Sequence, residues 1–410
     1  IVIQKKITTL FQHLHEQRKK GNYPLGNTRF VLDYQNEKYG YLDAKGDLLF
    51  PYEYSTALPF DTQTAHALVQ KGKHQYWIDS LGKLFLLSKS IADLNPKTEV
   101  LDLSNKALSA FPAAILRFPK LKMLVLSKNR LTEIPEAIDR LSQLQYLDLE
   151  GNKLRALPTS IGNLEQLNYL NLSRNKFFEL PYSFGNLTQL TVLELSANPL
   201  AQLPEFLGNL SHLKRLTLQW NKLQMLPSSF GELSSLEYLD LRGAELVSLP
   251  ESFGELSNLH SLQLDWDEIN YIPKNIENLS KLEHLDLSFK NLEELPYWIG
   301  YFIHLKHLTL SNNLLSRLPE EIGLLTALQS LDISANQLQL LPQKGGIHSA
   351  TLYFSPIAEE EPINLRLIGI DTSNLQYDYE LKEVVPFEYT ATDEILYYQA
   401  KDLLPATITE

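Results

Sequence analysis

The chain has 410 residues, a formal net charge of −12 and no cysteine. The acidic balance argues against binding to nucleic-acid phosphates, and the lack of cysteine excludes disulfide bonds, thiolate metal sites and a cysteine nucleophile. No apolar run approaches the roughly 18 residues that a membrane-spanning helix needs. We expect a cytoplasmic protein, although a chain that starts at Ile1 leaves a removed export signal open as an alternative.

The first segment, residues 1–21, is predicted to form an amphipathic helix. Apolar residues recur three or four positions apart along it, and a lysine- and arginine-containing end precedes Gly21. This spacing places the apolar side chains on one side of a helix, and glycine is a frequent helix terminator.

The next segment, residues 22–97, contains an internal duplication. The sequence YGYLDAKG at 39–46 returns in altered form as QYWIDSLG at 75–82. Short apolar runs with Asp-x-x-Gly turns predict β-hairpins. Residues 28–87 resemble the bacterial WG repeat, with YGY where the Trp-Gly dipeptide is expected. We interpret this β-rich segment as a cap on the region that follows, with an independent binding module as the alternative.

A proline that recurs with a 23-residue period, eleven times, dominates the central region. Each proline closes the same phrase, L-x-x-L-x-L-x-x-N-x-L-x-x-L-P. An unbroken period of this length indicates one supersecondary unit stacked along an axis. Leu147 and Leu149 suit the inward positions of a short strand, and Asn152 suits hydrogen bonding to backbone groups where the chain leaves the sheet. The prolines are Pro112, Pro135, Pro158, Pro181, Pro204, Pro227, Pro250, Pro273, Pro296, Pro319 and Pro342.

This phrase, extended to L-P-x-x-I-G-x-L, resembles the leucine-rich repeat family over about residues 98–345. The resemblance implies an α/β solenoid: a right-handed leucine-rich-repeat horseshoe with a concave parallel β-sheet inside and short helical or irregular segments outside. We therefore predict eleven repeats, each with one parallel strand. After Pro342 the pattern stops, and residues 346–410 are predicted to form a C-terminal β-rich cap over the last repeat, or the start of another module.

The candidate binding surface lies on the outward positions of the predicted sheet, which form columns one repeat apart. The repeat asparagine is replaced at Ala244, Asp267 and Lys290, and large aromatic residues stand beside this lapse. Tryptophan, tyrosine and arginine dominate interface energetics, so we expect the aromatic side chains to project into solvent and the carboxylates to form a solvated face. The predicted partner-binding residues are Arg215, Trp220, Tyr238, Asp240, Arg242, Asp265, Trp266, Asp267, His284, Asp286, Phe289 and His307.

The function predicted from these features is non-catalytic. Phosphate-loop, zinc-protease and serine-nucleophile motifs are absent from the sequence. We predict a monomer without cofactor that binds a protein or peptide on the concave face. His284 and His307 with Asp286 are the alternative metal ligands, but two histidines on strands are more often ordinary surface residues, and no metal is predicted. A regulatory or targeting region of a larger enzyme, and carbohydrate binding by Trp220 and Trp266, stay open as alternatives.

Overall fold

The structure is a computed structural model, and it describes residues 31–35, 38–42, 48–60, 66–265, 274–338, 351–353, 365–368 and 395–398. Trp266, Asp267 and the predicted helix at 1–21 lie outside the described residues. The chain divides into two compact units: Ile1–Leu103 with Lys120–Leu124, and Ser104–Pro119 with Val125–Glu410. The boundaries predicted at 97/98 and 345/346 remain predictions.

The first unit is built from short, mostly antiparallel strands. Its elements are β1 (Val31–Gln35), β2 (Lys38–Leu42), β3 (Leu48–Tyr54), β4 (Thr56–Ala57), β5 (His66–Lys71), β6 (His74–Asp79), β7 (Leu84–Ser88), the 3-10 helix Ile91–Asp93, and β8 (Val100–Asp102). β1, β2 and β3 form one antiparallel sheet. β4 to β7 pair antiparallel in chain order, and β8 pairs with β7 in parallel. The pairs β2–β3 and β6–β7, which flank the two Asp-x-x-Gly sequences, confirm the predicted hairpins.

An aromatic core fills this first unit. Tyr41 is fully buried, its ring lies 4.9 Å from that of Phe60 in an edge-to-face contact, and its hydroxyl donates to the carbonyl oxygen of Leu58 at 2.5 Å. A buried tyrosine needs such a hydrogen-bond partner to compensate for desolvation of its hydroxyl. Gly40 is required beside it, because a Cβ there would lie 2.9 Å from the carbonyl oxygen of Phe50.

The repeat region has one short strand in each 23-residue period. β10 to β18 pair in parallel in chain order, each residue opposite the one 23 positions later. With β8 and β9, eleven strands follow the sequence period, which confirms the predicted solenoid. The strands are β9 (Met123–Val125), β10 (Tyr146–Asp148), β11 (Tyr169–Asn171), β12 (Val192–Glu194), β13 (Arg215–Thr217), β14 (Tyr238–Asp240), β15 (Ser261–Gln263), β16 (His284–Asp286), β17 (His307–Thr309) and β18 (Ser330–Asp332).

Three further strands follow the repeats. β19 (Thr351–Tyr353) pairs in parallel with β18 and so adds another strand to the repeat sheet. β20 (Leu365–Ile368) and β21 (Ile395–Tyr398) form an antiparallel pair. The cap function of residues 346–410 stays a prediction.

The segments between the strands contain 3-10 helices, and the described residues contain no α-helix. Each helix follows directly after a repeat position held by proline, whose missing N–H is not needed at a helix start. Because the next repeat leucine follows so soon, one tight turn fits and an α-helix of normal length does not. The helices are Ala113–Arg117, Glu136–Arg140, Thr159–Asn163, Tyr182–Asn186, Glu205–Asn209, Ser228–Glu232, Glu251–Glu255, Lys274–Asn278, Tyr297–Tyr301 and Glu320–Leu324.

Adjacent coils stack very closely on the helical side. A Cβ added to Gly162 would lie 2.2 Å from the carbonyl oxygen of Ser183 in the next repeat. No side chain fits there, so this glycine of the I-G pair sets the distance between neighbouring coils. The repeat leucines fill the interior, and Leu147, Leu170 and Leu193 are fully buried.

The repeat asparagines tie adjacent coils together. Asn175 donates through Nδ2 to the carbonyl oxygens of Leu172 (3.0 Å) and of Leu149 in the preceding repeat (2.9 Å). Its Oδ1 accepts from the backbone N of Leu154 at 3.1 Å. These bonds confirm the predicted role of the asparagine, which satisfies buried backbone groups on both sides.

At position 244, where alanine replaces the repeat asparagine, the backbone compensates for the missing side-chain amide. Ala244 is fully buried, and its own backbone N donates to the carbonyl oxygen of Leu241 at 3.1 Å, the group that an asparagine side chain would otherwise reach. Lys290 is also buried, and its backbone N donates to Asn313 Oδ1 at 3.0 Å. A backbone hydrogen bond therefore replaces one of the missing side-chain hydrogen bonds at Ala244. Asp267 lies outside the described residues.

Candidate functional site

Ten of the twelve predicted partner-binding residues are described, and all lie on β13 to β17 or in the turn that follows a strand. We call them the sheet site: Arg215, Trp220, Tyr238, Asp240, Arg242, Asp265, His284, Asp286, Phe289 and His307. The 23-residue register places Arg215 directly opposite Tyr238, and His284 opposite His307. The repeat therefore brings these pairs together without any long-range rearrangement.

Arg215 and Tyr238 form a stacked pair at one end of the sheet site. The guanidinium carbon lies 3.7 Å from the centre of the tyrosine ring, a cation–π contact. Arg215 Nε also donates to Glu194 Oε1 at 3.1 Å, and the hydroxyl of Thr217 donates to the other oxygen of Glu194. Tyr238 is half-buried under this arrangement rather than projecting freely, which corrects the expectation of an exposed stripe.

Asp240 and Arg242 form a bidentate ion pair within one repeat. Arg242 donates through Nε to Oδ1 at 3.0 Å and through Nη2 to Oδ2 at 2.7 Å, while its backbone N also donates to Oδ1. The carboxylate is 1% exposed, and its hydrogen bond raises the pKa of the arginine above the ordinary value. Asp240 was expected on a solvated face; it is instead buried beneath its own arginine.

Asp265 is the second buried carboxylate of the sheet site and the second correction to that expectation. Its side chain is 7% exposed, and Oδ1 has no hydrogen-bond partner among the described residues. Burial, followed by the negative charge of Asp286, raises its pKa to about 6, and Arg242 opposes that rise. Asp286 is partly exposed, and its Oδ1 accepts from Ser288 N at 3.0 Å.

The raised pKa of Asp265 predicts a pH-dependent cost to folding. Between the ordinary pKa near 4 and about 6, the folded chain holds a proton that the unfolded chain has released, so stability falls as pH rises through this range. We expect Asp265→Asn to raise the free energy of unfolding at pH 7.5 by about 1–3 kcal/mol. Melting temperatures measured from pH 3.5 to 8 should converge with those of the wild type at the acidic end. Glu293→Gln, at an exposed carboxylate, should show no such difference; equal behaviour of the two variants would contradict the prediction.

Trp220 and Phe289 are the exposed aromatic residues of the sheet site. Their side chains are 57% and 37% exposed, in agreement with the expectation, and their backbones are left-handed, with φ of 57° and 56°. The same turn position is left-handed in other repeats, where it holds Gly151 and Gly243 but also Lys128, Arg174, Ala197, Asn312 and Ala335. Any residue with a Cβ costs about 1–2 kcal/mol relative to glycine there, so this cost is not particular to an aromatic side chain. What distinguishes Trp220 and Phe289 is the large apolar surface that they expose.

Gly243 makes room for the Trp220 ring. A Cβ at Gly243 would lie 2.7 Å from Cε3 of Trp220, so the indole lies against the next repeat's turn. The backbone N of Gly243 donates to the carbonyl oxygen of Asp265 at 3.0 Å, which places the indole beside the turn that carries Asp265. Sequence reasoning missed this glycine; its signal is a small residue one repeat after a tryptophan.

His284 and His307 stack with ring centres 4.5 Å apart and planes inclined by 11°. His307 Nδ1 lies 2.7 Å from Ser330 Oγ. Burial lowers the pKa of both rings, and for His284 the neighbouring His307 lowers it further. The pair is therefore neutral near pH 7. The described residues contain no group of three or more histidine, aspartate or glutamate side chains that would hold a metal ion.

A depression of about 450 Å³ on the helical side is a surface that sequence reasoning missed. Tyr182 is 82% exposed there and makes an edge-to-face contact with Phe206 at 5.3 Å. Glu205, also in its lining, accepts hydrogen bonds from the backbone N atoms of Ser228 and Ser229 and so caps the next 3-10 helix. No described helix has the length and apolar composition to cross a membrane.

Parallel coils with a 23-residue period and a polar and aromatic outer sheet face define a repeat solenoid. The description "Leucine-rich repeat region" matches residues 96–203 and 201–296, and "Leucine Rich Repeat" matches residues 304–325. The chain belongs to the leucine-rich repeat family, whose members are typically non-catalytic interaction modules. A comparison with curated proteins gave no match.

Three solved structures support the family assignment. A leucine-rich repeat protein of Leptospira interrogans is 33% identical over 60% of this chain and 69% of that one, with a TM-score of 0.56. The ectodomain of the Arabidopsis receptor kinase HAESA, in complex with an IDA peptide hormone ligand, is 30% identical over 71% of this chain and 48% of that one, with a TM-score of 0.54. A TDR receptor is 29% identical over 61% and 45%, with a TM-score of 0.52. The chain thus spans less than half of the two receptor structures.

Proposed function

We propose that this protein is a non-catalytic interaction scaffold that binds a protein or peptide at the sheet site, on the concave side of a 23-residue-repeat horseshoe. The observation that carries the proposal is the exposure of the large aromatic side chains of Trp220 and Phe289, in the turns that follow β13 and β16. Solvent-facing tryptophans with arginines nearby are the side chains that most often supply binding energy at interfaces.

The polar groups around these aromatic residues support the proposal further. Arg215 is fixed by Glu194 and Tyr238, and Arg242 is fixed by Asp240, so their side chains lose little entropy when a partner binds. Mixed charge on a rigid surface favours specific recognition over general adhesion. The peptide held by the HAESA ectodomain is consistent with this use of the same fold.

The first unit belongs to the same proposal in a supporting role. Its antiparallel hairpins carry Tyr39 to Tyr41 and the pair Tyr76 and Trp77, which supports the resemblance to bacterial WG repeats. We assign it as a WG-like module, and we place the partner on the second unit because the exposed aromatic residues of the sheet site lie there.

Trp220→Ala tests the proposal with peptides selected from a displayed random library on the intact wild-type chain. We expect the variant to bind the selected peptides about 2–4 kcal/mol more weakly. Its melting temperature should stay close to that of the wild type, because the indole is more than half exposed and alanine has the same Cβ in the left-handed turn. Binding is measured by titration calorimetry.

Tyr182→Ala is the matched control, since it removes another exposed aromatic side chain on the helical side of the solenoid. It should leave peptide binding unchanged. Selected peptides that bind Trp220→Ala as tightly as the wild type, or that depend on Tyr182, would move the binding surface away from the sheet.

A further inference from the structure

We propose that the sheet site receives a basic side chain, the ammonium group of a lysine or the guanidinium group of an arginine, at the carboxylate of Asp265. This inference rests on the proposed function and specifies the chemistry of the partner. The partner is therefore a peptide or protein segment with a lysine or arginine next to the residue that contacts Trp220.

The first support is the unused hydrogen-bonding capacity of Asp265. Its side chain is more than nine-tenths buried, and Oδ1 has no partner in the described part of the chain. A buried carboxylate oxygen without a donor is costly, and a donor that reaches it would reduce that cost. In the next repeat the same column holds Ser288, a neutral residue whose hydroxyl donates to Asp286 at 2.5 Å.

The second support is the balance of charge around Asp265. Among the described residues, the charges of Asp286 and Asp240 raise the pKa of Asp265, and the charge of Arg242 lowers it. Arg242 donates to Asp240 through both Nε and Nη2. The guanidinium is thus hydrogen-bonded to the carboxylate in its own repeat. A positive charge from the partner would complement the negative charge of the Asp265 carboxylate.

The third support is the aromatic surface beside the turn that carries Asp265. The Trp220 ring lies against Gly243, and the backbone N of Gly243 donates to the carbonyl oxygen of Asp265. A lysine or arginine can lay its methylene stem along an indole and place its charged end on a carboxylate. A metal ion is the poorer complement, because the described residues offer no group of three ligating side chains and hard cations need several oxygen ligands.

The test uses one displayed library of random dodecapeptides, selected in parallel on the intact wild-type chain, on Asp265→Asn and on Asp148→Asn. Asp148 is the matched control, because it is a buried carboxylate on the same face of the sheet, on β10, and burial raises its pKa too. We expect lysine or arginine to be enriched at one fixed distance from an aromatic or apolar residue in peptides from the wild type and from Asp148→Asn. The enrichment should disappear with Asp265→Asn.

Peptides from the wild-type selection are then resynthesised with that lysine replaced by norleucine, or that arginine by citrulline. Each replacement should weaken binding to the wild type at least about tenfold and should have little effect with Asp265→Asn. Affinity of the basic peptide for the wild type should fall as pH falls through about 6, where Asp265 takes up a proton between Asp240, Asp286 and Arg242.

The outcomes separate this inference from the proposed function. Peptides that require Trp220 but show no enrichment of basic residues, or an enrichment that persists in Asp265→Asn, overturn the inference and leave the proposed function standing. If no selected peptide requires Trp220, the proposed function fails and the inference fails with it. Circular dichroism of each variant confirms that the comparison is made between folded proteins.

Discussion

Replacing Leu193 with aspartate is expected to abolish cooperative folding of the central repeats. Leu193 is fully buried on β12 and lies opposite Leu170 on one neighbouring strand and Leu216 on the other. Aspartate removes the packing of all three coils and brings an unpaired carboxylate into an apolar interior. The loss in free energy of unfolding should exceed about 4 kcal/mol. Urea denaturation followed by circular dichroism measures it.

Leu324→Asp provides the matched control, because it makes the same chemical change at a leucine that is 53% exposed on a 3-10 helix. Its effect should stay within about 1 kcal/mol. Since each repeat is stabilised by its neighbours, Leu193→Asp should also increase protease cleavage on both sides of β12. Similar denaturation midpoints for the two variants would show that the leucine ladder is not the source of the stability.

The repeat strands were predictable from the sequence because the same 23-residue phrase recurs along the central region. Leucines two positions apart place β10, and the same phrase places each following repeat strand 23 positions later. The outer segments were less predictable. The sequence indicated helical or irregular structure, and the 3-10 geometry follows from stacking contacts such as that of Gly162 against Ser183, which are properties of neighbouring coils rather than of one segment.

The sheet site was predicted in its composition but not in its geometry. The 23-residue repeat predicts that Arg215 lies next to Tyr238 and that His284 lies next to His307, because each pair is one repeat apart. It did not reveal that Asp240 and Asp265 are buried, because alternation along one strand gives the direction of a side chain and not which other side chains cover it.

The side-chain conformation of Arg242 and the backbone conformation of Trp220 could not be predicted from the sequence either. The sequence offers Arg242 two nearby carboxylates, Asp240 in its own repeat and Asp265 in the next. The structure shows that its side chain donates to Asp240. Glycine stands at the equivalent positions 151 and 243, but most equivalent positions hold other residues, so the sequence did not show that the backbone at Trp220 is left-handed.

Replacing Asn175 with alanine is expected to cost about 2–4 kcal/mol of folding free energy. The change removes donors to the carbonyl oxygens of Leu149 and Leu172 and the acceptor for the backbone N of Leu154, and all of these residues are buried. Because buried polar groups are left without partners, the loss should exceed that of a surface hydrogen bond several-fold. Thermal and urea denaturation of the variant measure the effect.

Two further variants test whether the stability lost in Asn175→Ala comes from the hydrogen bonds of the repeat asparagines. Asn163→Ala removes an exposed asparagine whose Nδ2 donates to Asp139 at 3.2 Å, and it should change stability by less than about 0.5 kcal/mol. Ala244→Asn restores the repeat residue where the backbone N of Ala244 already occupies the carbonyl of Leu241. Because that carbonyl has a donor, the restored amide should add far less than Asn175 contributes. An equal gain at position 244 would mean that the backbone turn there does not compensate, and that the lapse in the ladder is a true weak point of the solenoid.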